Sequence, residues 1–248
     1  MSGHSKWATI KHKKGAADKA RGKLFAKIAR QLEVAASQGG GDLSSNATLR
    51  TAVQKAKAAQ MTNDAIERAI KRGTGEAQAD NYESITYEGY APGGVAIMVE
   101  TLTDNRNRTG ADVRNIFSKL GGAMAEPGAV SWQFARRGVL YLAGNYAEDD
   151  VMLAALDAGA EDVTRDGESW RVTSDPQIVY DVKTALESAG LTVQSAESTM
   201  VSSTTIAIEE VEIAQKVLKV MEALQDNDDV QDVFANFDID DSIMEAVE

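Results

Sequence analysis

Apolar residues recur at helical spacing through the first third of the chain and at strand-like spacing beyond it. Over residues 18–38, Leu24, Ile28 and Leu32 stand four apart with Phe25 and Ala35 beside them. That spacing puts side chains on one helical face and predicts a helix of about 20 residues, roughly 30 Å long. Gly39, Gly40 and Gly41 close it. Leu49, Val53 and Ala56 predict a second helix over 46–59. A third is expected to start after Thr62 as N-cap, with Met61 stapled onto Ile66, and to stop at Gly73, read as the residue beyond the C-cap. Three amphipathic helices imply a small bundle, and residues 73–81 read as a linker.

Past the linker the period changes. Residues 85–90 and 95–101 read as strands around the turn Ala91-Pro92-Gly93-Gly94, followed by a helix over 109–120 and a strand over 130–134. A complete βαββαβ series then follows: strand 139–142, helix 149–158, strands 162–165 and 169–173, helix 176–189 and strand 191–195. Asp166-Gly167 supplies its hairpin turn and Pro176 a helix start. The remaining strand 204–208, helix 211–224 and strand 230–237 form a βαβ half that can pair with the half before residue 135. The predicted class is therefore α+β multidomain, a three-helix bundle followed by two ferredoxin-like α/β domains with the last inserted into the middle one. The expected domains are residues 1–75, residues 80–135 with 199–248, and the insert 136–198. A serial arrangement with mixed sheets is the alternative.

Charge sharpens this division. The net charge of -12 conceals 15 Lys+Arg against 5 Asp+Glu in residues 1–75, and 11 against 33 in the rest. With a Debye length of about 8 Å at physiological salt, charges on separate domains barely cancel, so a partner meets a basic module carried on an acidic body. Residues 1–30 hold nine Lys+Arg and the single acid Asp18, which points to a polyanion ligand.

Other classes lack material. With no cysteine and only His4 and His12, there is no disulfide, thiolate site, histidine-rich metal site or Ser-His-Asp triad to build. Nucleotide, dinucleotide and zinc-protease motifs are absent. Asp226, Asp228 and Asp232 resemble a calcium loop only loosely, since Gln231 stands where glycine is needed. Apolar runs fall well below the ~20 residues of a membrane span, and no signal peptide precedes residue 30. The expectation is a cytoplasmic, non-enzymatic monomer with no cofactor, no metal, no membrane contact and no small-molecule substrate.

The candidate chemistry lies in the amino-terminal arm and first helix. Lys6, Lys11, Lys13, Lys14, Arg21, Lys23 and Lys27 are the expected phosphate contacts. Lys19, Lys23 and Lys27 repeat at i, i+4 and i+8, a like-charge stripe that phosphates would relieve. Trp7 serves either to stack on a base or to anchor the arm with Ile10. The junction over residues 103–109 brings Arg106 and Arg108 to a helix start, either as a second anion site or as a capped turn whose arginines meet the acidic body. The tight link at residues 58–62 is read as an ordinary bundle connection in preference to a helix-turn-helix, which would make Asn63, Arg68, Lys71 and Arg72 groove contacts. The whole reading requires the lysines to stay clear of the acidic body's carboxylates.

The runs Gly3-His4-Ser5-Lys6-Trp7, Ile10-Lys11-His12-Lys13-Lys14, Arg21-Gly22-Lys23, residues 66–76, Tyr87-Glu88-Gly89-Tyr90 and residues 103–109 together resemble the YebC-type family over nearly the whole chain. Thr62-Asn63, Ala91 and Thr101 depart from its usual residues. The resemblance implies three domains with the last inserted. It also implies a regulator of gene expression, described for some members as a DNA-binding transcriptional regulator. Other members are regarded as ribosome-associated translation factors, which here would bind rRNA or tRNA through the same arm.

Overall fold

The computed structural model describes residues 17–75 and 82–247. Lys6, Trp7, Lys11, Lys13 and Lys14 lie outside the described residues.

The bundle consists of α1 (Ala17–Gly39), α2 (Ala47–Ala58) and α3 (Asn63–Thr74). Ile28, Leu32, Leu49, Val53, Ala56 and Ile66 are buried in one core, as the fourfold spacing demands. Asn46 caps α2 by accepting from Leu49 N at 2.9 Å, and its amide donates to Ala35 O and Gly40 O, each at 2.8 Å. One buried side chain thus ties the end of α1 to the start of α2. Thr62 caps α3 through Ala65 N, as its position predicts.

Gly73 differs from expectation. It lies inside α3 and is buried, and a Cβ there would collide with Glu33 O and Ala36 Cβ on α1. Close backbone approach, and not helix termination, requires glycine at this position. Gly73→Ala is expected to force α1 and α3 apart at a cost of about 1–3 kcal/mol, read as a lowered urea midpoint with an unchanged m-value.

The α/β part begins with β1 (Glu83–Ala91) and β2 (Val95–Thr103), paired antiparallel from Glu83↔Thr103 to Ala91↔Val95. A turn at Pro92–Gly94 joins them, in which Gly93 and Gly94 take positive φ. Then come α4 (Arg106–Lys119) and the short β3 (Ala123–Ala125). β3 pairs with β1, and the later strand β9 (Val230–Ala235) pairs with β2, giving the antiparallel order β3-β1-β2-β9. Phe117 and Val113 of α4 bury against this sheet together with Val217, Val220 and Met221 of α7 (Val211–Asp226). β8 (Ile206–Ile208) pairs in parallel with β10 (Phe237–Ile239), outside the main sheet, and α8 (Asp241–Val247) follows.

The strand expected over 130–134 is not formed. Glu88 is buried on β1, and its carboxylate accepts from Gly128 N (2.7 Å), Val130 N (2.6 Å) and Ser131 N (2.9 Å). Those N–H groups are therefore unavailable for a strand ladder, and residues 131–133 turn as a 3₁₀ helix. Burial alone would push the Glu88 carboxyl up, but the three donors outweigh it and hold it below the usual glutamate range.

Phe134–Ser203 is one compact unit, inserted in the other, which comprises the described residues up to Gln133 and from Thr204 onward. The inserted unit runs β4 (Phe134–Ala143), α5 (Glu148–Asp157), β5 (Asp162–Asp166), β6 (Ser169–Ser174), α6 (Val179–Ser188) and β7 (Val193–Ser202). Its antiparallel order β5-β6-β4-β7 is that of a ferredoxin-like βαββαβ domain. Leu140, Leu142, Val172, Val182 and Leu186 fill its core. Pro176 sits in a turn and α6 starts at Val179, because Asp175 first accepts from Gln177 N. The surrounding host unit holds both the bundle and the four-stranded sheet. Among the described residues no helix is long and apolar enough to cross a membrane, and no group of three or more His, Cys, Asp or Glu side chains is placed to hold a metal.

Candidate nucleic-acid interface

Lys23 and Lys27 of the basic stripe on α1 do not stand free. Helix α7 ends in Asp226 with no basic residue in its last turn, so its terminal carbonyls and an acidic side chain share the negative end of the helix dipole. Cations from α1 compensate. Lys23 Nζ donates to Asp226 Oδ1 at 2.9 Å and to Asp226 O at 3.2 Å, and Lys27 Nζ donates to Gln225 O at 2.6 Å. Arg30 reaches Asp228 O at 3.1 Å and Leu102 O at 3.3 Å and lies over the Tyr82 ring at 4.9 Å. Lys55 of α2 pairs with Asp232 Oδ2 at 2.8 Å. The Asp226 carboxylate bonded to Lys23 holds its ammonium above the usual lysine range.

The requirement that the lysines stay clear of carboxylates is therefore not met at Lys23. Lys27 is likewise held, by the backbone of the acidic segment. These side chains fasten the bundle to the α/β part.

A different set of cations remains open. Arg21 on α1, Arg50 and Lys57 on α2, and Arg68 and Lys71 on α3 are exposed, and none has a side-chain hydrogen bond or ion pair among the described residues. Arg72 is held by Glu33, with Nε donating to Oε1 at 2.7 Å. The α2–α3 link places Gln60 at φ 62, the left-handed conformation of a tight turn.

The junction at residues 103–109 divides its two arginines. Asn105 caps α4 by accepting from Arg108 N. Arg108 Nη2 donates to Asp104 Oδ1 at 2.9 Å and to Asp229 Oδ2 at 2.7 Å. Asp229 is buried, and it also accepts from Thr109 Oγ1 at 2.7 Å, Thr103 Oγ1 at 3.3 Å and Arg30 Nη1 at 3.5 Å. Burial alone would push this carboxyl up, yet the bonds from Arg108 and Thr109 and the two guanidinium charges hold it below the usual aspartate range. The same carboxylates raise Arg108 above the ordinary arginine value. Arg108 is thus part of an ionic junction centred on the buried Asp229 that links α1, β2, α4 and the segment before β9. Arg106 instead lines an open groove with Arg114, Asn107, Asn115 and Tyr87. Arg114 gives no sequence signal, since a lone arginine in mid-helix looks like any solvated residue.

Two family descriptions match the chain: the TACO1/YebC protein N-terminal domain over residues 5–76 and the TACO1/YebC second and third domain over residues 82–237. A probable transcriptional regulatory protein of Geobacter sp. strain M21 is 52% identical over 247 residues, covering all of both chains. One from Rubrobacter xylanophilus is 53% identical over 249 residues, covering 100% of this chain and 99% of that one. Among solved structures, the crystal structure of a conserved hypothetical protein from Aquifex aeolicus is similar, with 44% identity and a TM-score of 0.77. That match covers 90% of this chain and 93% of the Aquifex chain.

Proposed function

Because this chain belongs to the TACO1/YebC family, we propose that it is a non-enzymatic, nucleic-acid-binding regulator of gene expression, working through its basic bundle and arm as a DNA-binding transcriptional regulator. The observation that carries the reading is the set of exposed cations Arg21, Arg50, Lys57, Arg68 and Lys71, which have no side-chain partner among the described residues, on a bundle where Lys23, Lys27, Arg30, Lys55 and Arg72 are already held. With Lys6, Lys11, Lys13 and Lys14 of the arm, they supply the phosphate contacts, and Trp7 stacks or anchors. Lys23, Lys27 and Arg108 act as internal fasteners. The names of the relatives support regulation of transcription.

A second reading, a ribosome-bound translation factor contacting rRNA or tRNA, draws on the acidic excess of residues 76–248, which opposes wrapping along a naked duplex. Specific DNA reading predicts that one duplex outcompetes unrelated duplexes by about 1,000-fold or more at fixed salt. A ribosomal factor gives weak, sequence-indifferent duplex binding and co-sediments with ribosomes. In both assays, Lys11→Ala/Lys13→Ala/Lys14→Ala is expected to lose the partner. Partitioning identical to that of the unaltered chain would remove the arm from the proposal.

A further inference from the structure

We propose that the open groove along α4 is a second binding site, which takes a single-stranded nucleic-acid backbone; this extends the nucleic-acid reading above and rests on it. The groove measures about 630 Å³. One wall is a single face of α4, where Arg106, Gly110, Arg114 and Ser118 follow at intervals of four. The other wall is formed by Tyr87 of β1 and Met124 of β3.

Three features of the groove select the ligand. The first is charge. Residues 76–248 are strongly acidic, yet among the described residues no carboxylate lines the groove. The guanidinium groups of Arg106 and Arg114 have no hydrogen bond or ion pair among the described residues, and both side chains are exposed. Two residues from Arg106, Arg108 is bound to two aspartates, so neighbouring arginines of one turn have separate tasks. The second feature is spacing. Arg106 and Arg114 are eight residues apart, about 12 Å along the helix axis, which is too wide for adjacent phosphates and suits two phosphates of an extended strand with one more between them.

The third feature is the surface between the cations. Gly110 forms a low floor, and a Cβ there would stand 3.3 Å from Tyr87 Oη. That clearance lets the Tyr87 hydroxyl donate to Arg106 O at 3.3 Å and fixes the ring against the first turns of α4. Burial raises the Tyr87 hydroxyl above its ordinary pKa, so the ring stays neutral. An aromatic ring between two arginines, with Asn107 and Asn115 alongside, combines a stacking surface with donors and acceptors for base edges. A polyacidic peptide would use the arginines but brings no flat base to stack on the ring. A duplex would bring many phosphates against the acidic surface around the groove, whereas a strand brings few.

The test uses the full chain and fluorescein-labelled 12-nucleotide oligouridylate and oligothymidylate, with anisotropy read across a salt series. Arg106→Ala/Arg114→Ala is expected to weaken both about tenfold and to lower the log-log salt slope by about 1.4, the value for two phosphates on a single strand. Duplex binding should be unchanged. Equal loss for both oligonucleotides identifies the phosphodiester strand as the ligand, and a larger loss for the uridylate identifies RNA. Unchanged affinity and slope in this variant overturn the second site. So does displacement of oligouridylate by a 12-residue oligoglutamate at equal charge, or by inorganic phosphate with no change in slope. A parallel Arg21→Ala/Lys57→Ala/Arg68→Ala variant reads the bundle alone, so failure of the groove and failure of the bundle reading give different patterns. Circular dichroism of each variant confirms the fold, as all five side chains are exposed.

Discussion

Replacing Asp229 by alanine is expected to destabilise the host unit by about 3 kcal/mol, read from the urea midpoint of the full chain. The figure is the lower end of the cost of breaking a buried ion pair, because Arg108 is half exposed and solvent compensates it in part. Thr103 and Thr109 are both fully buried, and both would lose an acceptor at the end of β2 and the first turn of α4. Arg30 loses its carboxylate partner but keeps the carbonyls of Asp228 and Leu102, so α1 should stay docked. The pH dependence follows in sign. The folded pKa of Asp229 is depressed, so its stabilisation is fully present above the ordinary aspartate value of about 3.9 and is lost as pH falls through the folded value. Glu88 behaves in the same way. Asp229→Asn should therefore flatten the acid limb of the stability curve below about pH 4, leaving the Glu88 contribution in place. An acid limb as steep as that of the unaltered chain would show that Asp229 contributes no proton linkage.

The second large effect separates two classes of cation on one bundle. Arg21→Ala/Lys57→Ala/Arg68→Ala/Lys71→Ala is expected to reduce duplex affinity on the order of a hundredfold at moderate salt and to lower the log-log salt slope by about 3 to 4, near 0.9 for each lost phosphate contact. Lys23→Ala/Lys27→Ala/Lys55→Ala removes almost as much charge. It should change the slope by less than about one contact, because its targets are the carbonyls and carboxylates of residues 225–232. What this triple variant alters is protection: amide exchange in α1 and at the end of α7 should accelerate as the bundle loosens. If both variants lose the same slope, the fasteners also touch phosphate and the division of labour is wrong.

The helices and the insertion were legible because they are written in local periodicity. Leu24, Ile28 and Leu32, the cap at Thr62, and the Asp166-Gly167 turn each act within a few residues. The failures share the opposite property. Val130, Trp132 and Phe134 alternate as a strand would, but Glu88, some forty residues earlier, takes the N–H groups that the strand needs. Gly73 resembles a helix stop, and only the backbone of α1 shows why it is glycine. Lys23 and Lys27 look like a repulsive stripe awaiting an external anion, whereas their acceptors lie about 200 residues away at the end of α7. Arg106 and Arg108 are indistinguishable in sequence. Helical rotation puts one into the ionic junction and leaves the other in the groove with Arg114.

The position of β9 governs the order in which the molecule can be built on the ribosome. β2 receives its second neighbour only from Val230–Ala235, and Gln133, the last residue before the insert, is bonded to Thr204 at 2.5 Å and to Asn236 at 2.9 Å. A nascent chain that has emerged only as far as Ser203 therefore holds every strand of the insert but an incomplete host sheet. Vectorial synthesis makes the inner module mature first and leaves the edge of β2 exposed until the carboxy-terminal segment arrives.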